Sequence, residues 1–244
     1  DFSSASDFAL SPIPYVHGGF IVSDEEGAGK HPYHHAGAYY MQDPGAMATV
    51  AALPDEIWER EGLKILDLCA APGGKTTQNA LRMAGQGTIV CNEPIGDRAR
   101  ILSRNVERMG LENAVVVSEW PEKLAERWPG AFDAIQCDAP CSGEGMFRKE
   151  EAAVTDWSEE TVQMCAERQA QILATAAKLL RPGGRLVYST CTFAPEEDEE
   201  AVAAFLQEHP EFEPEILETP WFVPGENGSH RMWPHKLLGE GHFA

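Results

Sequence analysis

From residue 64 onward the apolar positions fall into two alternating rhythms. Short runs of strand length at 64–68, 88–92, 114–117, 132–137 and 185–189 are separated by longer stretches with helical spacing, notably 76–84, 95–109 and 155–180. Near-continuous apolar runs alternating with helices predict parallel strands buried on both faces, in an α/β domain. Gly110 closes the second of these helices, and Pro182-Gly183-Gly184 reads as the stop of the third. A last helix is expected over 195–208, because proline is well suited to a first helical position. Its acidic run, 196–200, suits the positive end of the helix dipole and reads as a solvated face. The remainder, to Ala244, is expected to finish the sheet with strands and loops. Upstream, 45–53 reads as a helix ended by Pro54, and 14–16 and 19–22 as two short strands around a His-Gly turn.

Ligands of an open parallel sheet bind beyond the carboxyl ends of its strands, so the residues that end each strand carry the chemistry. The strand at 64–68 runs into Cys69, Ala70, Ala71, Pro72, Gly73, Gly74 and Lys75, a tight loop of small residues at a helix start. Such a loop lets a ligand approach backbone N–H groups closely. Glu93 ends the next strand, where an acid can hold both hydroxyls of a ribose. Neither a GxGxxG nor a GxxxxGK[ST] pattern is present, which points to S-adenosylmethionine rather than to NAD or a nucleoside triphosphate. The strand at 132–137 ends in Asp138-Ala139-Pro140-Cys141, and Cys191 follows the strand at 185–189. A right-handed crossover makes these two strands neighbours, so both thiols and Asp138 should face one cleft. A strand-end cysteine is ordinarily a small buried hydrophobe. Two thiols and an acid beside a methyl donor suit a harder task. Carbon 5 of a pyrimidine becomes nucleophilic only when a thiolate adds to carbon 6.

Composition bounds the reading. The chain has 244 residues, 43% of them hydrophobic, enough for one large core and a small appendage. No apolar run reaches the length of a membrane span, and no signal peptide is visible. The 6 cysteines form no CxxC pair, which argues against a zinc site or a secreted disulfide framework and suggests a reducing cytoplasm. His31, His34 and His35 read as a hydrogen-bonded loop rather than a metal site, since Pro32 breaks helical spacing. The formal net charge of −20 counts against nucleic acid. Basic residues are grouped, however: Arg100, Arg104 and Arg108 recur along one helix, read as a solvated face, and Arg148-Lys149 follows the Asp138 loop as a phosphate candidate. The chain opens on Asp1 without an initiator Met, as expected of a fragment or a processed product.

The stretches 66–76, 138–149 and 189–192 resemble the signature motifs of the Nop/Sun family of RNA cytosine-C5 methyltransferases, and within it the bacterial RsmF-like ribosomal RNA enzymes. The stretches 39–44 and 239–243 resemble the flanking motifs, so the likeness covers nearly the whole chain. The resemblance implies a Rossmann-like, S-adenosylmethionine-dependent methyltransferase fold with a mostly parallel sheet of about seven strands. It implies a small RNA-binding-type appendage at 1–45 before a catalytic domain at 46–244. It makes Cys191 the nucleophile, Cys141 the thiol that helps release product, and Asp138 a contact to both base and cofactor; the loop 69–75 and Glu93 hold the cofactor. The family often places an acid or Asn after its third strand to meet the adenine, where this chain has Ser118-Glu119-Trp120; Glu119 is the candidate. RNA, in particular ribosomal RNA, is the expected partner of a monomer, with no metal and no membrane. The family also carries RNA-binding segments on both sides of its core, and this chain begins near the end of one and stops where the next would start. Methylation of tRNA or DNA cytosine, a catalytically silent RNA-binding assembly factor and an NAD oxidoreductase are the alternatives.

Overall fold

The structure, a computed structural model, describes residues 7–23, 27–217, 222–236 and 239–244. Asp1 and parts of the expected closing segment, 218–221 and 237–238, lie outside them. The first described strands are a two-residue antiparallel pair, β1 (Ser11–Pro12), just upstream of the expected 14–16, and β2 (Phe20–Ile21), inside the expected 19–22. A short helix α1 (Pro32–His35) follows where a loop was expected, because Pro32 stands in its first turn rather than inside it. His31 caps that helix, its Nδ1 accepting from Tyr33 N at 3.2 Å. Among the described residues no three His, Cys, Asp or Glu side chains converge as a metal site. Asp43 caps α2 (Pro44–Ala51), accepting from Gly45 N at 2.8 Å.

The alternation that follows is β3 (Lys64–Asp67), α3 (Gly74–Arg82), β4 (Thr88–Asn92), α4 (Gly96–Arg108), β5 (Ala114–Val117), α5 (Pro121–Arg127), β6 (Phe132–Asp138), α6 (Glu151–Asp156), α7 (Glu159–Leu179), β7 (Leu180–Ser189) and α8 (Glu199–Glu208). The five strands form one parallel sheet in the order β5-β4-β3-β6-β7. Helices cover both faces of it, so Ile65, Leu66, Ile89, Ala134 and Ile135 are completely buried and their strands read as unbroken apolar runs. The order reverses between β3 and β6, which opens a crevice at their carboxyl ends. In register, Asp67 stands beside Gln136, and Asp138 beside Ser189. The ends of β3, β6 and β7 thus converge on one crevice.

Several expectations are corrected. The long helix breaks at Trp157-Ser158, where the Ser158 hydroxyl caps α7 by accepting from Thr161 N at 3.1 Å. Pro182-Gly183-Gly184 does not stop a helix but loops out of β7: Leu180 pairs with Phe132 and Arg185 with Ala134. Helix α5 escaped sequence reading because Leu124 is its only buried large apolar side chain, too little to set a rhythm. The last helix starts at Glu199, not at 195; Pro195 belongs to a tight turn in which Asp198 N donates to Pro195 O at 3.2 Å. Glu197 and Asp198 in that turn are 0% exposed, so this part of the acidic run is no solvated face. The closing segment builds its own antiparallel sheet from β8 (Val223–Pro224), β9 (His230–Met232) and β10 (His242–Phe243). Among the described residues the central sheet therefore has five strands rather than about seven. The closing sheet is joined to the end of β7 by the Thr190–Phe243 bridge, where each N–H donates to the other's carbonyl at 3.1 Å. No helix among the described residues is long and apolar enough to cross a membrane.

Candidate active site

A cleft of about 230 Å³ opens where β3 ends, lined by Asp67, Cys69, Gly74, Lys75 and Asp138, with Tyr40–Asp43 from the N-terminal segment on its other side. Its floor is the small-residue loop expected from the sequence. Gly73 has φ +113°, a conformation that a side chain rarely adopts. A Cβ on Gly74 would run into the Gln42 amide oxygen. The loop's carbonyls are tied to α4: Asn105 Nδ2 donates to Pro72 O at 2.8 Å and Arg98 to Ala71 O at 3.2 Å.

Lys75 Nζ lies 2.7 Å from Asp138 Oδ2, and the Ser189 hydroxyl donates to Asp138 Oδ1 at 2.8 Å. Burial alone would raise the Asp138 carboxyl; the Lys75 ammonium and the Ser189 hydroxyl outweigh it and hold the group below the ordinary carboxylate range. Asp67 behaves in the opposite sense. It is fully buried, and burial pushes it up to about 7 against the Thr76 hydroxyl, which donates at 2.6 Å. Its other oxygen, Oδ1, is buried without a hydrogen-bond partner, although Asp67 lines the cleft. Sequence reading put Asp67 at the strand end but did not assign it a role.

The two expected thiols come together. Cys141 Sγ and Cys191 Sγ are 3.3 Å apart, on loops after β6 and β7. The loops are cross-tied: Gly145 N donates to Cys191 O at 2.8 Å, Ser142 and Thr192 share a hydroxyl contact at 2.8 Å, and Phe193 N donates to Glu144 Oε2 at 3.0 Å. A Cβ at Gly145 would stand 2.7 Å from Cys191 O, so this crossing requires glycine. The Cys191 sulfur beside it, then burial, push the Cys141 thiol well up, with the Asp138 carboxylate adding to the effect. Cys69 is likewise pushed up, first by Cys137 and then by burial, and has the character of a structural thiol.

Glu93 and Glu119 are not among the residues lining the cleft. Glu93 is buried at the end of β4, where Oε1 accepts from Ile95 N at 2.9 Å and Oε2 faces Arg98 at 3.4 Å. Glu119 accepts from Trp120 N and faces Lys123 and Arg127 at 3.5 and 3.8 Å. Of the basic groups, Arg108 fastens the N-terminal segment by donating to His34 O at 2.7 Å, and Arg100 pairs with Asp97. Arg148 pairs with Glu240 at 2.9 Å, and Lys149 with Asp43 at 3.1 Å.

His242 is buried near Asp43, Lys75 and Asp138, where no role was expected of it. Its ring is 6% exposed, and its Nδ1 has no hydrogen-bond partner, standing 4.0 Å from Asp43 Oδ1. Burial, then the Lys75 ammonium, push it down to about 4, against the pull of Asp138 and Asp43; Lys149 adds to the depression. An unfolded histidine titrates near 6.5, so the unfolded chain gains a proton as pH falls from about 6.5 to 4 while the folded chain does not. Stability is full above that window and falls by up to about 3 kcal/mol across it. Melting temperature measured from pH 7 to 4 should therefore fall less steeply in His242→Phe than in the unchanged chain. Equal slopes would show that His242 does not set the acid limit.

The description "16S rRNA methyltransferase RsmB/F" matches residues 57–244, well over half of the chain. The chain belongs to this RsmB/F family. Residues 1–44 match the N-terminal domain of 16S rRNA methyltransferase RsmF. Two relatives called ribosomal RNA small subunit methyltransferase F illustrate the kinship. That of Erwinia tasmaniensis is 36% identical over 97% of this chain and 51% of its own length. That of Salmonella paratyphi C is 42% identical over 82% of this chain and 42% of its own. The chain thus spans about half the length of the curated relatives it matches. Among solved structures, NSun6 from Pyrococcus horikoshii with SFG, an analogue of S-adenosylmethionine, superposes with TM-score 0.76 at 30% identity, over 88% of this chain and 54% of that one. A methyltransferase homologue from the same organism gives TM-score 0.79 at 26% identity, over 99% of this chain and 78% of that one. The RsmB/F assignment agrees with the resemblance carried by the motifs around Lys75, Cys141 and Cys191.

Proposed function

We propose that this chain is the catalytic part of an RNA methyltransferase that methylates carbon 5 of a cytosine in small-subunit ribosomal RNA, using S-adenosylmethionine and a covalent Cys191–C6 adduct. The observation that carries the reading is the pair of thiols 3.3 Å apart at the ends of neighbouring strands, beside the Lys75–Asp138 pair that lines the cleft. Family membership supports the ribosomal substrate. Residues 1–45 would serve as part of an RNA-binding appendage to a monomeric catalytic core at 46–244, and segments beyond this chain would supply the basic surface that its charge of −20 lacks.

The cleft fits the cofactor. Its loop 69–75 offers close backbone approach, and the buried, unpartnered Oδ1 of Asp67 awaits a donor such as an ammonium group. Asp138 borders the same space, and Glu93 with Glu119 would hold ribose and adenine once Arg98 releases the Glu93 carboxylate. Bound there, S-adenosylmethionine supplies a methyl group on a cationic sulfur, an electrophile for carbon 5.

The protein's own part concerns protons and sulfur. A cytosine swung out of its helix presents carbon 6, and the Cys191 thiolate adds to it, moving an electron pair toward carbon 5. The Asp138 carboxylate accepts from the exocyclic amine, and from N3 once the ring has taken a proton there from solvent, which favours that addition. The neighbouring Cys191 sulfur, then burial, push the Cys141 thiol up, so that it holds its proton. Once carbon 5 is methylated, Cys191 is held as a neutral thioether at carbon 6. Cys141 can then give its proton to solvent and take the one on carbon 5. The electron pair of that C–H bond re-forms the ring double bond, and the Cys191 thiolate leaves.

Bisulfite sequencing of 16S rRNA from cells with and without the gene tests the reaction: one cytosine should lose its protection in the deletion strain, and an unchanged map would defeat the proposal. For the cofactor, calorimetry with S-adenosylhomocysteine should show Glu93→Ala weakening binding about tenfold or more, the scale of a lost charge-assisted hydrogen bond. Equal affinity would remove Glu93 from the site.

A further inference from the structure

Between Cys191 and α8 lies the tight turn 194–198, which the reaction above does not use. It holds two adjacent, completely buried acids, Glu197 and Asp198. Burying a carboxylate is unfavourable unless it is well partnered, and these two have different partners. Glu197 accepts from Ser142 N with both oxygens, at 3.0 and 3.3 Å, and from Gln169 Nε2 at 2.8 Å. The same Gln169 amide donates to Pro140 O at 3.0 Å. The residues on both sides of Cys141 are therefore tied back to Glu197. The Glu197 carbonyl in turn accepts from the Tyr188 hydroxyl at 2.7 Å, on the strand leading to Cys191.

Asp198 serves the other thiol. Its Oδ1 accepts from the hydroxyl of Thr190, the residue before Cys191, at 2.6 Å. Its Oδ2 faces Arg231 at 3.1 Å, and Arg231 also grips Glu199 through Nε at 2.6 Å. The Arg231 guanidinium lies over the rings of Trp233 and Phe243, about 5 Å from each centroid, so the anchor is itself packed. Two consecutive residues on one turn thus reference both thiol loops.

We propose that Glu197 and Asp198 are positioning residues that set the separation of the two sulfurs, Glu197 by fixing Cys141 and Asp198 by fixing Cys191. This rests on the division of roles between the thiols proposed above. The two sulfurs act in turn on one ring, and misplacement by 1 Å costs on the order of a hundredfold in rate. Neither acid touches substrate; each acts through the loop it holds. The expected consequence is two opposite defects from neighbouring residues: loss of Glu197 slows release, and loss of Asp198 slows attack.

The test uses the complete gene product, an unmodified 16S rRNA transcript and S-adenosylmethionine. Glu197→Gln offers one acceptor oxygen where both carboxylate oxygens are used. It should lower kcat on the order of tenfold to a hundredfold, leave the RNA KM and S-adenosylhomocysteine affinity unchanged, and accumulate a protein–RNA species that survives denaturing electrophoresis. Asp198→Asn can serve Thr190 or Arg231 but not both. It should lower kcat comparably, trap nothing, and suppress trapping when combined with Cys141→Ala. Thr190→Val should repeat the Asp198→Asn result without removing an acid, and Thr190→Ser should restore activity; this pair keeps the question open to measurement if Asp198→Asn fails to fold. Indistinguishable defects, with cofactor affinity and melting temperature falling together, would overturn the proposal in favour of a merely structural turn. If Cys141→Ala itself traps nothing, the assignment of the thiols fails. If it traps and Glu197→Gln does not, only the positioning proposal fails.

Discussion

Cys141→Ala, in the complete protein given its RNA and S-adenosylmethionine, is expected to accumulate a covalent protein–RNA species, whereas Cys191→Ala yields neither that species nor methylated product. Addition and elimination are separate steps that need separate groups. A chain lacking the attacking thiol cannot form the adduct, and loss of an essential nucleophile removes activity by several orders of magnitude. A chain lacking the releasing thiol forms the adduct but cannot take the carbon-5 proton, so the bond persists through denaturation. The readout is a gel shift of the labelled RNA, with methyl incorporation measured in parallel. A trapped species in Cys191→Ala and none in Cys141→Ala would reverse the roles of the two thiols.

The sequence made the sheet legible for a simple reason. Strands buried on both faces have to be apolar throughout, so 64–68, 88–92 and 132–137 announced themselves, and the residues that end them were the chemical ones. Cys141, Cys191 and Asp138 were found because apolar strands lead into them, and Lys75 because it ends the small-residue loop; the structure brings the two thiols together and pairs Lys75 with Asp138. What escaped were the residues whose importance is set by tertiary burial. Glu197 and Asp198 sit in an acidic run that any helix start would tolerate, and only their complete burial separates them from Glu196 and Glu200. His242 is depressed first by burial and then by Lys75, 167 positions away in the sequence, a neighbourhood that no local pattern announces. Asp43 reads locally as a helix cap; its bonds to Lys149, after β6, and to Glu240 N, in the closing segment, join stretches far apart in the sequence. The five-strand sheet has the same origin: the closing strands pair with one another, and a bridge joins Phe243 to Thr190 at the end of β7.

Asp138→Ala is expected to lose both stability and chemistry, and the two losses can be separated. Its partner Lys75 has only 10% of its side chain exposed, so removing the carboxylate leaves a buried ammonium uncompensated. Breaking one partner of a buried pair costs about 3–5 kcal/mol, whereas replacing both with uncharged groups of similar shape is often neutral. The Ser189 hydroxyl also loses its acceptor. Lys75→Met combined with Asp138→Asn should therefore melt close to the unchanged protein, while Asp138→Ala alone melts well below it. Activity should not follow stability. A ring that is no longer held at N3 and its amine is a poor acceptor for the Cys191 thiolate, and loss of such a proton-handling group lowers rate by about a hundredfold to ten-thousandfold. The stable double variant should thus remain inactive, and it should form no covalent species even when Cys141→Ala is added to it. Should that triple variant trap RNA as readily as Cys141→Ala alone, then Asp138 serves only to neutralise Lys75, and ring polarisation would have to come from elsewhere in the cleft.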